Sequence, residues 1–308
     1  MDKILVTGGA GFIGSHIVEE LVLLDHKVTV IDDLSSGNHN NLAHIDKKNI
    51  EFIKMDIRDE EAVSKLFEEK KFDVIFHQAA IASVNRSILE KEFTHSVNVL
   101  GTENIFKNAV ITNVDKVIFA SSAAVYGDDP VLPKNEFMQL RPASPYGEHK
   151  MINEDMGLIY SEKGSTQFLG LRYFNVYGER QNPASDYSGV ISIFKNRISN
   201  SQDIVIYGDG QQTRDFVYIK DVVTANIMML MSYQDFSVYN VGSGKQSSIN
   251  ELLSIMKNIY KKNTNVIYAA PRDGDIRFSV ADISRIKNDF SYFPRYSLEQ
   301  GLSSLCIV

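Results

Sequence analysis

The sequence predicts an α/β fold in which a doubly wound parallel sheet is followed by a smaller α/β lobe. Three observations predict it. Short apolar runs alternate with helical patterns through the first half of the chain, and a glycine-rich segment joins the first run to the first helix. After about Tyr173 this alternation fades into shorter elements between loops rich in Gly, Asn, Asp and Ser. Strands that alternate with helices are typical of a parallel sheet covered on both faces, and right-handed crossovers make such a sheet doubly wound.

The elements of the first half follow from this alternation. Apolar runs predict strands at residues 4–7, 27–31, 52–54, 74–76, 117–120 and 168–172. Helical periodicity predicts helices at residues 13–24, 60–69, 93–111 and 145–162. Runs of this length are typical of buried strands, whereas the longer periodic stretches are typical of helices.

The second half is predicted to be a smaller lobe over the strand ends. Polar loops at residues 178–189, 208–212 and 242–248 separate its elements, and residues 240–244 are predicted to form a turn. The predicted domains are therefore residues 1–173 and residues 174–308, with some segments of the second returning to the first. Ligands bind outside the carboxyl ends of the strands in such sheets, so the two lobes should share a cleft.

Composition excludes several functional classes. The chain has 308 residues, of which 44% are hydrophobic and 23% charged, as in an ordinary globular protein. A net charge of −7 disfavours nucleic-acid binding. The single cysteine, Cys306, allows no internal disulfide, and no cluster has the spacing of a metal site, so no bound metal is expected. The most apolar stretch, residues 222–231, is too short to cross a membrane, and a cytoplasmic enzyme is expected.

The segment Thr7-Gly-Gly-Ala-Gly-Phe-Ile-Gly14 predicts a dinucleotide-binding loop. Gly8, Gly11 and Gly14 would permit a tight turn, close approach to a pyrophosphate and close packing of helix on strand. The helix that follows would present free N–H groups and its positive dipole end to the phosphates. The alternative is that the glycines only form a turn.

Two carboxylates after the next strands favour the dinucleotide hypothesis. Asp32 ends the second strand, about 20 residues beyond the loop, where a carboxylate accepts hydrogen bonds from ribose hydroxyls and repels a 2′-phosphate. No arginine follows at once, so the cofactor is predicted to be NAD. Asp56, with Ile57, follows the third strand and could meet the adenine edge, or Asp56 could simply be a turn residue. His77 is interpreted as structural.

Tyr146 and Lys150 are the strongest indication of chemistry. They are four residues apart in Ser-Pro-Tyr-Gly-Glu-His-Lys, where Ser144 is a plausible N-cap. Residues at this spacing lie on one helical face, so the ammonium would favour the phenolate and make the tyrosine a usable base. Ser122, which ends the fifth strand, could hold an alcohol while Tyr146 removes its proton and NAD accepts the hydride.

These motifs together resemble the extended short-chain dehydrogenase/reductase superfamily. The residues that carry the resemblance are Thr7–Gly14, Asp32, Ser122, the pair Tyr146/Lys150 and Arg172-Tyr173-Phe174-Asn175. Within the superfamily the whole chain is most similar to the nucleotide-sugar epimerases of the UDP-glucose 4-epimerase group. The resemblance implies a Rossmann domain that binds NAD, a lobe that binds a UDP-sugar, and 4-epimerisation through a transient 4-keto sugar.

The expected site residues follow. The catalytic group is Ser122, Tyr146 and Lys150. The cofactor is expected to contact Tyr146 and Lys150 of this group. It is also expected to contact a further set of residues: Gly8, Gly11, Phe12, Ile13, Gly14, Asp32, Asp33, Ser36, Gly37, Asp56, Ile57, Ala79, Ala80, Asn98, Ser121 and Tyr173. Within this set Asp33 resembles a loop carboxylate more than a ligand. Besides Ser122 and Tyr146, the resemblance implies these substrate contacts: Asn175, Val190, Tyr207, Arg214, Arg272, Asp275 and Ser279.

Two positions guide the choice of reaction and substrate. Nucleotide-sugar 4,6-dehydratases carry an Asp-Glu pair where this chain has Ala123 and Ala124, and decarboxylating relatives usually keep the Glu. Both reactions are therefore disfavoured as alternatives, although epimerases often have a Thr at position 124. Several glucose-restricted 4-epimerases carry a tyrosine where this chain has Ser279, so N-acetylated UDP-hexosamines are expected to be accepted.

Two further expectations concern the alternatives and the assembly. A non-catalytic NAD-binding regulator is a rival, but such proteins typically lose the tyrosine or the lysine. Because the helical patterns at residues 93–111 and 145–162 could each keep an apolar face for a partner, and relatives dimerise through a four-helix bundle, a homodimer is expected.

Overall fold

The computed structural model describes residues 2–181, 189–271 and 276–306. Its strands, in chain order, are β1 (Lys3–Thr7), β2 (Lys27–Asp32), β3 (Ile50–Lys54), β4 (Val74–His77), β5 (Lys116–Ser122), β6 (Gln167–Tyr173), β7 (Asn175–Tyr177), β8 (Ile204–Tyr207), β9 (Thr213–Arg214), β10 (Phe216–Tyr218), β11 (Phe236–Val241), β12 (Ser247–Ser248) and β13 (Val266–Ala269).

The helices are α1 (Phe12–Leu23), α2 (Glu60–Lys70), α3 (Val84–Leu89), α4 (Lys91–His95), α5 (Thr102–Ile111), α6 (Pro145–Ser161), α7 (Val190–Ser199), α8 (Ile219–Met228), α9 (Ile249–Tyr260), α10 (Ser284–Phe290) and α11 (Leu298–Ser304). Short 3₁₀ segments occupy His39–Leu42, Ala123–Tyr126 and Met229–Met231, and a π-helical turn, Ser96–Gly101, joins α4 to α5.

The central sheet has seven strands in the order β11-β6-β5-β4-β1-β2-β3. All of its pairs are parallel. Consecutive residues of one strand face opposite layers: Ile4 and Val6 belong to one buried cluster, whereas Leu5 belongs to the other. This period of two buries both faces, so the predicted doubly wound α/β sheet is confirmed.

The two faces of the sheet carry different helices. Buried residues of α1 and α8 pack on one face, in a core that continues into α7 and α9 of the second half. Buried residues of α2 and α5 pack on the other face. The predicted strands of the first half and the helices predicted at residues 13–24, 60–69 and 145–162 are present, with ends that differ by one or two residues. The single helix predicted at residues 93–111 is instead divided into α4, the π-helical turn and α5.

The seventh strand comes from the second half. β11 pairs with β6 from Phe236 opposite Phe168 to Val241 opposite Tyr173. The turn predicted at residues 240–244 was therefore wrong at its start, because Asn240 and Val241 complete this strand. The division into residues 1–173 and 174–308 stays a prediction.

The start of α6 was predicted from local signals alone. Ser144 has extended backbone, its hydroxyl accepts a hydrogen bond from the N–H of Gly147, and Pro145 occupies the first helical position. A side-chain cap and a proline without an N–H both suit the first turn, where N–H groups lack intrahelical partners. The helix therefore begins where Tyr146 and Lys150 need it.

Candidate active site

A cleft of about 1080 Å³ lies at the carboxyl ends of β1, β2, β4, β5 and β6. It is closed on one side by the first turns of α1 and α6 and on the other by the segment that leads into α7. The structure brings most of the predicted site residues into its lining: Gly8, Gly11, Phe12, Ile13, Gly14, Asp32, Asp33, Ser36, Asp56, Ile57, Ala79, Ala80, Ser121, Ser122, Tyr146, Lys150, Tyr173, Asn175 and Val190.

The loop after β1 has room only for glycine at two positions. Gly8 has a φ of +66°, and a Cβ there would lie 2.7 Å from the backbone nitrogen of Ala79. A Cβ at Gly14 would overlap the carbonyl oxygen of Gly8. The loop is therefore wedged between α1 and the segment after β4, and its backbone is open to the cleft.

The N-terminus of α1 is suited to an anion. Its N-cap, Gly11, supplies no side-chain hydrogen bond, and the first turn contains no acidic residue. Phe12, Ile13 and Gly14, which follow, line the cleft. First-turn N–H groups and the positive end of the helix dipole favour a phosphate at this point.

Asp32 presents a carboxylate at the end of β2. It is buried, with 7% exposure, and accepts hydrogen bonds from the N–H groups of Ala10 (3.0 Å) and Leu34 (2.8 Å). Burial raises the pKa of this carboxyl, and the two backbone hydrogen bonds partly oppose the rise. Gly37 does not line the cleft, but a Cβ there would lie 2.7 Å from the Asp32 carboxylate, so it packs behind that group.

The neighbouring Asp33 has a local role. Its carboxylate accepts hydrogen bonds from the backbone N–H (2.8 Å) and the hydroxyl (2.6 Å) of Ser35. This is the geometry of a loop carboxylate that fixes its own turn.

Three features of this half of the cleft fit a dinucleotide. They are the N-terminus of α1 without a side-chain cap, the glycine loop that has no room for a Cβ at Gly8 and Gly14, and the buried carboxylate of Asp32, which is placed as for a ribose.

The segment after β3 forms the next part of the wall. Arg58 hydrogen-bonds the Asp56 carboxylate, which lowers the pKa of that carboxyl. The carbonyl of Ile57 accepts a hydrogen bond of 3.0 Å from the Asn104 side chain. The predicted ligand Asn98 lies behind the cleft instead, in the π-helical turn, where its amide bonds both the N–H (2.8 Å) and the carbonyl (3.0 Å) of Ile81.

Tyr146, Ser122 and Lys150 converge at the end of β5. Tyr146 and Ser122 both line the cleft, and the Ser122 side chain acts on the Tyr146 phenol in the direction that lowers its pKa. Lys150 is buried, donates to the Ala120 carbonyl at 2.8 Å, and holds its ammonium nitrogen 5.9 Å from the centre of the Tyr146 ring. The structure places these three side chains in one cleft, and their roles stay a prediction.

The predicted effect of Lys150 on the pKa of Tyr146 stays a prediction, because other causes set the direction of that pKa here. Burial raises the pKa of the Tyr146 phenol above its ordinary value, and the Ser122 side chain opposes the rise only in part. Burial also lowers the pKa of Lys150 to about 8, against the opposing charge of Glu154. The net direction at Tyr146 is upward because desolvation outweighs every favourable contact, and the ammonium is directed at a carbonyl rather than at the phenol.

His77 is structural in its contacts. Its Nδ1 lies 2.7 Å from the Thr7 hydroxyl, and its Nε2 lies 2.9 Å from the hydroxyl of Thr102. The Thr102 hydroxyl donates to the Asn98 carbonyl, so it accepts from His77 at Nε2 and the ring is neutral. Burial lowers the pKa of His77 to about 3, with a smaller contribution from the charge of Lys150.

Sequence reasoning missed a polar network behind the catalytic group. Glu154 accepts hydrogen bonds from Ser121 (2.5 Å) and from two nitrogens of Arg172 (2.9 and 2.6 Å). Arg172 also donates to the Tyr126 hydroxyl, which donates to Asn240. The only local signal was the position of Glu154 one helical turn beyond Lys150.

Other cleft residues also escaped prediction. Gln78 precedes the small residues that were predicted, and its amide faces the Tyr173 hydroxyl at 3.2 Å. Arg86, Phe93 and Arg180 line the cleft too, but they follow no recognisable motif. The Arg86 guanidinium lies 5.0 Å from the centre of the Phe93 ring.

Asp215 connects two segments of the second half that carry the predicted substrate residues Arg214 and Ser279. This buried carboxylate accepts hydrogen bonds from both Ser243 groups, from the N–H of Gly244 and from the N–H of Ala281. It thereby ties Arg214, its neighbour in β9, to the segment that carries Ser279, whose N–H bonds the Thr213 carbonyl at 3.2 Å.

Three of the predicted substrate residues do not line the described cleft: Tyr207, Arg214 and Ser279. Tyr207 ends β8 and is 38% exposed. Arg214 donates to the Thr213 carbonyl at 2.8 Å. Arg272 and Asp275 lie outside the described residues.

The chain is similar to known proteins along most of its length. The sequence model of the NAD dependent epimerase/dehydratase family matches residues 4–242. A putative UDP-glucose 4-epimerase of Methanocaldococcus jannaschii is 40% identical over 97% of this chain and 95% of the relative.

Two further similarities bear on the substrate. The solved structure of a UDP-N-acetylglucosamine 4-epimerase from Methanobrevibacter ruminantium, in complex with UDP-N-acetylmuramic acid, superposes with a TM-score of 0.93 at 38% identity and covers 100% of this chain and 99% of that one. A UDP-N-acetyl-alpha-D-glucosaminuronate decarboxylase of Bacillus cytotoxicus is 32% identical over 97% of this chain and 95% of the relative. Among the described residues, no helix is long and apolar enough to cross a membrane.

Proposed function

The chain belongs to the NAD-dependent epimerase/dehydratase family, and we propose that within it the protein is a UDP-hexose 4-epimerase. The proposed reactions interconvert UDP-glucose with UDP-galactose and UDP-GlcNAc with UDP-GalNAc through a transient 4-keto sugar. The observation that carries the proposal is the convergence of Tyr146, Ser122 and Lys150 in the cleft beside the dinucleotide cradle.

The chemistry begins with one proton. Ser122 would hold the 4-hydroxyl of the sugar, and Tyr146, which lines the same cleft, would take the proton of that hydroxyl. Because burial raises the pKa of the phenol, the Lys150 ammonium one helical turn away is the group that must offset this cost. When bound, NAD supplies the reversible hydride acceptor that oxidation of the alcohol requires.

The second half of the cycle reverses the first. The ketone would turn over within the site, and Tyr146 would return its proton to the oxygen once the opposite face of carbon 4 is reduced. Such a site must hold the nucleotide diphosphate firmly and the sugar loosely. Arginine side chains suit phosphate oxygens, so Arg214 and Arg272 are proposed to hold the diphosphate with Asn175, near Val190. Tyr207 is proposed to pack on the uracil, and Asp275 to accept from a ribose hydroxyl.

The cofactor half makes corresponding proposals. The loop residues Gly8, Gly11 and Gly14 and the first turn of α1 would hold the pyrophosphate, and Asp32 the adenosine ribose. Asn98 would act on the cofactor only through Ile81, to which its amide is bonded. Lys150 would contact the nicotinamide ribose.

Ala123 and Ala124 make dehydration and decarboxylation of the sugar unfavourable alternatives to epimerisation. Ala123 and Ala124 open the 3₁₀ segment that follows Ser122, so no carboxylate or carboxylic acid stands there. Dehydration needs an acid to protonate the leaving hydroxyl, which neither side chain can do. The decarboxylase relative therefore does not carry a second proposal.

N-acetyl hexosamines are proposed substrates because Ser279 is small. The experiment is to incubate the purified protein with UDP-Glc, UDP-Gal, UDP-GlcNAc and UDP-GalNAc, with and without added NAD, and to separate the epimers by chromatography. We expect both pairs to interconvert. Conversion of the glucose pair alone would refute the N-acetyl proposal, and no conversion even with added NAD would refute 4-epimerisation.

Two variants sharpen this assay. Tyr146→Phe should lower turnover at least ~100-fold, the scale of acid–base catalysis, and still bind NAD; a non-catalytic regulator has no turnover to lose. Ser279→Tyr should depress conversion of the N-acetylated pair and spare the glucose pair. Equal loss for both pairs would place Ser279 away from the sugar.

A homodimer through α5 and α6 is also proposed. Leu100, Ile111, Leu158 and Ile159, on the π-helical turn, α5 and α6, are each at least 45% exposed. Exposed apolar side chains on paired helices are typical of interfaces rather than of free surface. Light scattering after size exclusion should give twice the mass of 34.7 kDa, and Ile159→Arg should give the single mass. A wild-type protein of single mass at all concentrations would refute the dimer.

A further inference from the structure

Glu154 repeats the spacing of the catalytic pair. Tyr146, Lys150 and Glu154 follow one another at intervals of four residues along α6, so they lie on one face of the helix. Lys150 and Glu154 are 3% and 5% exposed. Burying a carboxylate and an ammonium carries a desolvation penalty, which only ion pairing and hydrogen bonds can offset.

The two charged groups hold adjacent residues of β5. Lys150 donates to the Ala120 carbonyl at 2.8 Å, and Glu154 accepts from the Ser121 hydroxyl at 2.5 Å. The next residue is Ser122, which lines the cleft together with Tyr146. Tyr146, Lys150 and Glu154 form a ladder on one face of α6. This ladder fixes the end of β5, where Ser122, the residue predicted to hold the alcohol, is located.

Arg172 completes the charge balance. It donates to both carboxylate oxygens of Glu154, and its own side chain is 3% exposed. The carboxylate nevertheless acts on Lys150, because its negative charge favours the ammonium against the burial that disfavours it. Glu154 and Arg172 thus form a buried ion pair, in which Glu154 lies on the same helical face as Lys150.

Few other ionisable groups face this part of Lys150. His77 on β4 and His149 on α6 both interact with its charge. Other ionisable groups on the elements that pack here contact the neighbours of Lys150. His95 on α4 lies beside His149, and Tyr173 lies beside Tyr146. Arg172 pairs with Glu154 and also bonds Tyr126. Both histidines are buried and prefer the neutral form, so Glu154 supplies the compensating negative charge.

We propose that Glu154 is a positioning residue that keeps Lys150 charged beside Tyr146 and fixes the end of β5 against α6. The proposal rests on the proposed function in one respect, namely that Lys150 serves Tyr146. Arg172 has a supporting part, since it prevents Glu154 from being an unpaired buried carboxylate.

The test compares Glu154→Gln with Asp155→Asn. Asp155 is the next residue on α6 and is exposed, so its loss removes the same charge from the same helix without touching the ladder. kcat/KM is measured against pH. In Glu154→Gln we expect the midpoint of the alkaline loss of activity to move down by about one pH unit, the usual effect of one nearby opposite charge. Asp155→Asn should keep the wild-type midpoint.

A purely structural role predicts something different. In that case Glu154→Gln would lose activity by the same factor at every pH and keep its midpoint, and the proposal would be overturned. If the unpaired Arg172 prevents Glu154→Gln from folding, the double variant Glu154→Gln/Arg172→Gln is measured instead. The double variant removes Glu154 together with its ion-pair partner, so Arg172 is not left unpaired. A downward shift smaller than that of Glu154→Gln is expected, because loss of the Arg172 charge itself favours the Lys150 ammonium; an unchanged midpoint overturns the proposal.

A second readout needs no turnover. Because burial lowers the pKa of Lys150 to about 8, the free energy of unfolding should rise with pH from about 8 up to the ordinary range of a lysine, where only the unfolded chain keeps the proton. Lys150→Met should abolish this rise, and Glu154→Gln should start it at lower pH. A rise that starts at the wild-type pH would overturn the proposal even if the wild-type protein converted none of the UDP-sugars, an outcome that would refute the proposed function alone.

Discussion

The hydroxyl of Ser87 accepts a hydrogen bond of 3.1 Å from the backbone N–H of Tyr146, 59 residues further along the chain. Ser87 is fully buried in α3 and donates its own proton to the Val84 carbonyl at 2.6 Å. The N–H of Tyr146 belongs to the first turn of α6 and has no intrahelical acceptor. α3 therefore completes the cap of the helix that carries Tyr146 and Lys150.

Ser87→Ala should consequently weaken both stability and turnover. The N–H of Tyr146 would be left without a partner, at a cost of about 1–3 kcal/mol in the free energy of unfolding. Because the same contact sets the start of α6, kcat should fall more than KM changes. Denaturant unfolding and steady-state kinetics measure the two effects. Ser161→Ala, at the opposite end of α6, should leave kcat unchanged, and wild-type kcat in Ser87→Ala would contradict the argument.

Gly14→Ala should abolish NAD binding or weaken it severely. Its Cβ would overlap the carbonyl oxygen of Gly8, so the cradle and α1 must move apart. Backbone atoms cannot yield as a flexible side chain can, and a large loss of unfolding free energy, about 1–3 kcal/mol, should accompany the change. Calorimetric titration with NAD and thermal unfolding are the measurements. Gly189→Ala is the matched control, because among the described residues the nearest atom to its Cβ would be the Gln181 amide nitrogen at 3.6 Å.

Asp32→Asn should shift the cofactor preference from NAD toward NADP. An amide keeps the shape of the side chain but loses a charged acceptor worth about 1.5–3 kcal/mol, or roughly 10- to 100-fold in the Kd for NAD. Loss of the negative charge should at the same time relieve repulsion of a 2′-phosphate. Binding of both cofactors is measured by titration. Asp33→Asn should change neither Kd by more than about threefold on this account, and an unchanged NAD/NADP ratio in Asp32→Asn would rule out the assigned role.

His77 should make the fold sensitive to acid. Its pKa is lowered from 6.5 to about 3, so the unfolded chain binds a proton below pH 6.5 that the folded chain refuses. The part of the unfolding free energy that depends on a neutral His77 is therefore fully present above pH 6.5. It is lost as the pH falls toward 3, at about 1.4 kcal/mol per pH unit. His149, with a pKa lowered to about 4, adds a second proton over much of this range.

The measurement is denaturant unfolding between pH 7 and pH 4. His77→Gln can retain an acceptor toward Thr7 and a donor toward Thr102, and it should lose one proton's worth of the slope. A slope equal to that of the wild type would mean that His77 is protonated in the folded chain.

Much of the fold could be predicted because its signals are local. The apolar runs of the strands, the helical spacing in α1, α2 and α6, and the cap at Ser144 are each encoded within one element. β11 escaped notice because a six-residue strand beside a Gly-Ser-Gly sequence resembles the approach to a turn, and only its pairing with β6 makes it part of the sheet.

The sequence by itself determined the glycine cradle, the carboxylate of Asp32 and the pairing of Tyr146 with Lys150, since adjacent residues or helical periodicity bring each into being. Tertiary structure alone decided the surroundings of that pair. Ser87 and Arg172 come from distant segments, Ser87 to bond the N–H of Tyr146 and Arg172 to pair with Glu154, and burial raises the pKa of Tyr146 while lowering that of Lys150. Desolvation depends on everything packed around a group, which no local pattern encodes.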